Sequence, residues 1–252
     1  MSMQVKTLIQ RISQRLNALG HYVPYLHVAS NTLTDREIEI FRTRFGFEPV
    51  LIPSLQDVQI DDAYFKTFYP NRNSFWKDEY ISVISQEHEQ LGGQILLYES
   101  IQKPDFQGGA QLYGSVDGRE ESKDPLLSFF MEAYSELKES DDPDVFMMVS
   151  QNRYTWSYEL IEKYVLPKLQ KEVERMGLRG NVAIRPATNF VDSIFFPYNG
   201  ETETYEWTRS VLPGTKNHLT VGHAPLGGLS CILDHDPATC YANIGVRFMI
   251  IL

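Results

Sequence analysis

The chain has 252 residues, of which 33 are acidic and 23 basic, and its formal net charge is −10 at neutral pH. Nucleic acids and anionic membranes are bound by positive surfaces, so this charge balance argues against both as general partners. Hydrophobic residues make up 42% of the chain and aromatic residues 12%, as in a folded globular protein. Two cysteines, Cys231 and Cys240, cannot provide a disulfide framework, and whether they form one bridge stays open.

Residues 1–20 have the pattern of an amphipathic helix rather than of a signal peptide. Val5, Leu8 and Ile12 follow helical spacing, and no continuous apolar core of a signal peptide is present. The apolar run at residues 248–252 is far too short to span a bilayer. We therefore expect no membrane insertion, with the protein either cytoplasmic or displayed on a surface or virion by another route.

The first hundred residues alternate between predicted helices and strands. Thr34 and Glu37 have the spacing of a capping box, which predicts a helix that begins after Thr34 and ends at Gly46. Extended segments are predicted over residues 22–29, 47–55 and 94–102.

Seven aromatic residues lie close together in the sequence after this first part. Flat rings can stack on sugar faces, but aromatic residues in such clusters more often pack into the core, and we expect that here. The seven are Tyr64, Phe65, Phe68, Tyr69, Phe75, Trp76 and Tyr80.

Two helices are predicted in the middle of the chain, separated by an acidic linker at residues 139–144 and preceded by a polar loop at 107–121. Asp124 is the expected N-cap of the first helix, with Pro125 at its first position. The second is expected over residues 156–176, with a kink at Pro167 and an end at Gly177. From residue 181 onward glycines punctuate short strands, so the whole pattern predicts an α+β fold.

The sequence contains no recognised catalytic motif. Phosphate-binding glycine loops, the Gly-x-Ser-x-Gly elbow and the His-Glu-x-x-His zinc motif are absent. Asp234, His235 and Asp236 could bind zinc or calcium together with His218 or His223. Because such a run is more often ordinary surface, we predict no metal and no cofactor.

In the last fifth of the chain, three segments have the pattern of a constant framework. The residues between them are mostly polar or small, and we call them the insert. Gly200 to Trp207 leads in, Gly227-Gly228-Leu229 lies in the middle, and Ile244 to Phe248 closes the chain. This arrangement resembles the variable region of the target proteins of diversity-generating retroelements, of the archaeal or a related microbial branch. Those proteins display a deliberately mutated ligand-binding surface on a C-type lectin-like fold.

The resemblance implies a single C-type lectin-like domain over residues 1–252 with an elaborated N-terminal part. Residues 200–252 are the segment that corresponds to the variable region. The implied function is binding of a protein or cell-surface ligand, with no catalysis, no nucleic acid and no membrane insertion.

One compositional feature of the insert agrees with the resemblance. Adenine replacement in codons that begin with two adenines and end in a pyrimidine cannot produce Lys, Glu, Gln, Met or Trp. Residues 217–243 contain none of these five types, although they account for 52 of the 252 residues.

The resemblance implies a set of displayed positions on a fixed support. Trp207 is expected beneath the displayed loops, Gly227 and Gly228 where backbones approach closely, and Arg247 where its guanidinium can bind loop carbonyls. The predicted ligand-binding positions are Arg209, Ser210, Asn217, His218, Val221, His223, Ala224, Pro225, Ser230, Ile232, Asp234, His235, Asp236, Ala238, Thr239, Tyr241 and Asn243.

Two alternatives stay open at the level of sequence. One is an enzyme of the formylglycine-generating, sulfatase-modifying family, which shares the C-type lectin-like plan. Cys231 and Cys240 are farther apart than the cysteine pair of that family, and its Arg-Gly-Gly-Ser-Trp signature is missing. The other is a viral attachment protein without diversification.

Overall fold

The computed structural model describes residues 3–21, 23, 26–28, 33–72, 74–104, 112–114, 121–140 and 148–252. Helices and strands are interleaved over these ranges, which confirms the α+β class. The α-helices are α1 (Met3–Ala18), α2 (Asp35–Phe45), α3 (Asp62–Phe68), α4 (Glu79–Leu91), α5 (Leu127–Lys138), α6 (Tyr158–Leu160), α7 (Leu166–Arg175) and α8 (Phe190–Phe195). The strands are β1 (Phe47–Leu51), β2 (Ile95–Glu99), β3 (Asn181–Ile184), β4 (Tyr205–Val211), β5 (His218–His223), β6 (Gly228–His235), β7 (Ile244–Val246) and β8 (Phe248–Ile251).

The first sheet combines strands from both ends of the chain. Its order is β1-β2-β8-β3, with every neighbouring pair antiparallel. All five residues of β2 are buried, as expected for a central strand with both faces covered. Helices α1 and α2 pack on β1, and α7 packs on β3.

The second sheet belongs entirely to the C-terminal part of the chain. Its order is β6-β5-β4-β7, so β6 is an edge strand. β4 pairs with β5 and β5 with β6 as antiparallel hairpins, whereas β7 runs parallel to β4. β7 and β8 follow each other directly, so the end of the chain joins the two sheets.

The predicted start and end of α2 are confirmed. The Thr34 hydroxyl accepts the Glu37 amide at 3.2 Å, and the Glu37 carboxylate accepts the Thr34 amide at 2.8 Å. At the other end Gly46 has a φ of 71°, the left-handed conformation that glycine adopts readily. Most of the aromatic cluster is buried as expected, although Phe75 is exposed.

Two expectations about local structure are wrong. The described residues of the segment 22–29 are not in a strand. Asp124 accepts the Leu126 amide at 2.8 Å through its side chain and the Leu127 amide at 3.2 Å through its carbonyl, so a turn comes first and α5 begins at Leu127 rather than at Pro125. Most of the predicted loop 107–121 and linker 139–144 lies outside the described residues.

The second predicted helix is distorted before Pro167. Residues Ile161–Val165 form a π-helical turn between α6 and α7. A proline has no amide hydrogen to donate to the preceding turn, so a local widening of the helix accommodates it. Gly177 ends the helix with a φ of 68°.

The main hydrophobic core runs through both sheets. One cluster of buried side chains includes Val5 in α1, Phe41 in α2, Trp207 in β4 and Ile250 in β8. Among the described helices, none has the length and apolar character required to cross a bilayer.

Candidate functional site

Seven rings form a continuous network on one side of the second sheet, which we call the histidine–aromatic face. Its shortest contacts, measured between ring centroids, are Tyr158 to His218 at 3.6 Å, His235 to Tyr241 at 4.6 Å and Tyr205 to His223 at 4.7 Å. The members are Tyr158, Tyr205, Trp207, His218, His223, His235 and Tyr241. The three histidines and Tyr241 are half-buried, whereas the other three members are buried.

Strand register explains why distant positions meet on this face. His218 and His235 are directly opposite each other on β5 and β6. Opposed residues of an antiparallel pair point to the same side of the sheet. The His235 ring lies 4.6 Å from that of Tyr241, which belongs to the following loop.

Burial favours the neutral form of the three histidines of the face. Burial lowers the pKa of His218, His223 and His235 below the ordinary value in each case. The Nδ1 of His218 donates to the Thr208 carbonyl at 3.0 Å, so its Nε2 is an acceptor. The face therefore offers neutral rings that can stack and exchange hydrogen bonds.

Trp207 supports the face from beneath, as predicted. Its side chain is fully buried, and its indole nitrogen donates to the Trp156 carbonyl at 2.9 Å. The amide of Glu159 donates to the Pro237 carbonyl at 3.1 Å, which ties the loop after β6 to the start of α6. The loops of the face thus rest on fixed main-chain contacts.

A buried network of ion pairs lies under the same sheet. Arg247 donates to the Glu206 carboxylate at 2.7 and 2.8 Å and to Asp192 at 2.8 Å. Arg185 contacts both carboxylates as well. Burial disfavours charge on Asp192, but Arg185 and Arg247 outweigh it and hold the pKa of Asp192 at about 2. The expected role of Arg247 is wrong, because its side chain binds carboxylates rather than loop carbonyls.

A second ion-pair network, which we did not predict from the sequence, lies beside the first. Arg153 contacts Glu99 and Asp124, and all three side chains are buried. Arg153 also donates to the Val246 carbonyl at 3.1 Å, and Glu99 accepts the Phe248 amide at 2.9 Å. The C-terminal strands are therefore held by charges contributed from the first 153 residues.

The glycines of the C-terminal segments allow those segments to touch. Gly227 and Gly228 have φ values of 123° and 62°, as expected. A Cβ atom on Gly228 would lie 2.8 Å from the carbonyl oxygen of Gly200, and one on Gly245 would overlap the Tyr113 ring. Side chains at these positions would force the segments apart.

The predicted ligand-binding positions differ in exposure. Pro225, Asp236, Ala238 and Thr239 are exposed. Half-buried positions are Arg209, Asn217, His218, His223, Ala224, Asp234, His235, Tyr241 and Asn243. Four of these thirteen, the three histidines and Tyr241, belong to the histidine–aromatic face.

The prediction of exposure is wrong for Ser210, Val221, Ser230 and Ile232, which are buried. Val221 and Ile232 are directly opposed on β5 and β6 and point to the side away from the face. The Ser210 hydroxyl binds Glu87 of α4, and the Ser230 hydroxyl accepts the Asn71 amide at 3.2 Å. The polar and small residues around these four positions favoured a surface location. The alternation of side chains along the strands instead directs these four side chains into the protein interior.

Asp234 connects β6 to the start of α4 through side-chain contacts. Its carboxylate contacts Lys77, accepts the Tyr80 hydroxyl at 2.8 Å and accepts the Asn217 amide at 2.9 Å. Burial disfavours its charge, but these donors prevail and lower the pKa of Asp234. Asp234 therefore has a structural role at a position where only ligand contact was expected.

Cys231 and Cys240 are not bridged. Cys231 is buried, and its Sγ lies 3.7 Å from the Tyr205 hydroxyl. Within the described ranges no group of three or more His, Cys, Asp or Glu side chains is arranged to hold a metal ion.

Comparisons with protein-family models, with curated proteins and with solved structures found no match for this chain.

Proposed function

We propose that the protein binds a ligand through the histidine–aromatic face and the loops around it, as the diversified target of a retroelement. The observation that carries the proposal is that His218, His223, His235 and Tyr241 join one network of rings. These residues come from two separate segments of the insert and are connected through ring contacts with Tyr158, Tyr205 and Trp207. Convergence of distant polar and aromatic residues on a supported surface is typical of a binding site.

The support beneath the face favours tolerance to changes in the face. The Glu206–Arg247 ion pair and Trp207 are buried and fix β4 and the end of the chain. Because the core under the sheet supplies the stability, replacements at exposed positions such as Thr239 leave the fold intact. A buried support beneath a surface that tolerates replacement is what the target protein of a retroelement requires. This favours our proposal that the domain is a C-type lectin-like scaffold of that kind.

The chemistry of the face favours binding over catalysis. The described polar contacts of its histidines, His218 with the Thr208 carbonyl and His235 with the Thr220 hydroxyl, hold the rings in place and involve no nucleophile. A Tyr ring such as that of Tyr241 gives large rigid contact area with little loss of side-chain entropy. We therefore propose a protein or cell-surface ligand and no cofactor.

The gene locus tests the proposed diversification. A reverse-transcriptase gene should lie nearby, with a near-repeat of the codons for residues 200–250. The two copies should differ only where the near-repeat carries adenine. Mismatches spread over all four template bases, or a locus without either element, would contradict the proposal.

A further inference from the structure

A cavity opens between α1, the edge strand β1 of the first sheet and the end of α8. Its volume is about 490 Å³, which lies within the range of pockets that hold small molecules. The lining shares no residue with the histidine–aromatic face, so the cavity is a separate site. Its apolar lining residues are Met3, Leu8, Pro49, Val50, Phe195 and Phe196.

The cavity follows one face of α1. Gln4, Leu8 and Arg11 all line it, and residues three or four positions apart lie on the same face of a helix. At a rise of about 1.5 Å per residue, the axial distance from Gln4 to Arg11 is about 10 Å. The cavity is therefore long enough for an extended chain rather than only for a compact group.

The charged groups near Gln4 already satisfy one another. Arg42 donates to the Glu48 carboxylate at 2.6 and 2.8 Å and to Glu39 at 2.9 Å. It also donates to the side-chain oxygen of Gln4 at 3.1 Å. Because two carboxylates balance the one guanidinium, this end of the cavity has no free positive charge to offer a ligand.

Arg11 differs from Arg42 in this respect. Its guanidinium lies over the Phe195 ring, 5.3 Å from the ring centroid, and among the described residues no carboxylate pairs with it. Helix α1 contains no acidic residue at all. Arg15, one turn further along, lines an adjoining cavity together with Arg11 and likewise has no carboxylate partner in the described part of the chain. An unbalanced positive charge therefore stands at the far end of an apolar cavity.

We propose that this cavity binds a single-chain carboxylate of the fatty-acid class, with its alkyl chain along α1 and its carboxylate at Arg11. A guanidinium matches the planar geometry of a carboxylate, and burial of the chain supplies affinity. The net charge of −10 disfavours approach to an anionic bilayer, so the ligand is a free molecule rather than a membrane lipid. This binding goes beyond the proposed function, because the two sites have no residue in common.

Calorimetry of the full chain with decanoate tests the proposal. We expect one binding site and an affinity that rises from butyrate through hexanoate to decanoate, by up to about fourfold for each added CH₂ group. Decyltrimethylammonium has the same alkyl chain with the opposite charge, and it should bind at least about tenfold more weakly than decanoate.

A matched pair of variants on α1 isolates the role of Arg11. Arg11→Gln should weaken decanoate binding by at least about tenfold, because a charge-assisted contact is lost. Lys6→Gln removes the same charge from an exposed position of the same helix outside both cavities, and it should leave binding unchanged. Both positions are exposed, so both variants should keep the melting temperature of the wild type.

Nuclear magnetic resonance places the alkyl chain. The methyl signals of Leu8 and Val50 should shift when decanoate is added, whereas those of Val211 on β4 should not. Absence of saturable decanoate binding, equal affinity for butyrate and decanoate, or equal binding by Arg11→Gln and Lys6→Gln would overturn the proposal. Co-sedimentation with phosphatidylglycerol vesicles without binding of free decanoate would overturn it as well, since the surface would then serve a membrane.

Discussion

Arg247→Met should destabilise the protein strongly, although the Arg247 side chain belongs to the buried ion-pair network and not to the proposed ligand surface. The arginine is fully buried and makes three hydrogen bonds of 2.7–2.8 Å to Glu206 and Asp192. Its removal leaves two buried carboxylates with Arg185 as their remaining guanidinium partner. Loss of one partner of a buried ion pair costs about 3–5 kcal/mol, and we expect that decrease in the free energy of unfolding.

A double-mutant cycle with Glu206→Gln isolates the interaction. Each single variant leaves a buried charge with too few partners, whereas the double variant keeps the balanced Arg185–Asp192 pair. The double variant should therefore be more stable than the sum of the single effects predicts, by about 0.5–3 kcal/mol. Urea unfolding followed by tryptophan fluorescence gives the four values. Single effects below about 1 kcal/mol, or strict additivity, would refute this account of the network.

Three further predictions concern the support and the buried acid of α4. Trp207→Ala should lower the free energy of unfolding by about 3–5 kcal/mol, whereas Thr239→Ala on the exposed loop should change it by less than about 0.5 kcal/mol, both from urea titrations. Burial raises the pKa of Glu87 to about 7, so its stabilising contribution is complete below the unfolded pKa of about 4.5 and is lost as pH rises through 7. Between about pH 4.5 and pH 7 the free energy of unfolding of the wild type should fall by about 3 kcal/mol relative to that of Glu87→Gln. If the unfolding free energies of the two proteins change in parallel with pH, the assignment is contradicted. Gly227→Ala should lower the melting temperature more than Gly214→Ala, because both glycines have positive φ but only a methyl group at 227 would overlap a main-chain carbonyl.

Local signals in the sequence were sufficient for several elements. The capping box at Thr34 and the glycine at position 46 depend only on neighbouring residues, and both ends of α2 agree with them. Gly227 has the predicted positive φ for the same reason. Burial of Trp207 followed from its size and hydrophobicity.

The buried ion pairs could not be predicted from local patterns. Arg153 meets Glu99 across 54 positions of sequence, and Arg247 meets Asp192 across 55. A charged residue usually occupies a solvent-exposed position, and no neighbouring residue in the sequence distinguishes Arg153 from such a surface residue. The one available signal was Arg247, an arginine within an apolar run, which requires a buried partner.

The candidate site was predictable as a region but not side chain by side chain. The interval 209–243 contains four of the seven members of the histidine–aromatic face, and Tyr158, Tyr205 and Trp207 lie outside it. Val221 and Ile232 were misplaced because the register of β5 against β6 decides which alternate positions face the core. Sequence composition indicates a variable segment, whereas strand pairing decides which of its positions a ligand can reach.

The central claim is that the face and its loops vary while their support does not. Deep sequencing of the gene from a natural population, mapped codon by codon on the structure, tests this directly. We predict that amino-acid replacements concentrate at half-buried and exposed positions such as His218, His235 and Thr239, and that Trp207 and Arg247 do not vary. Replacements distributed evenly over the chain, or concentrated in the first two hundred residues, would contradict the account.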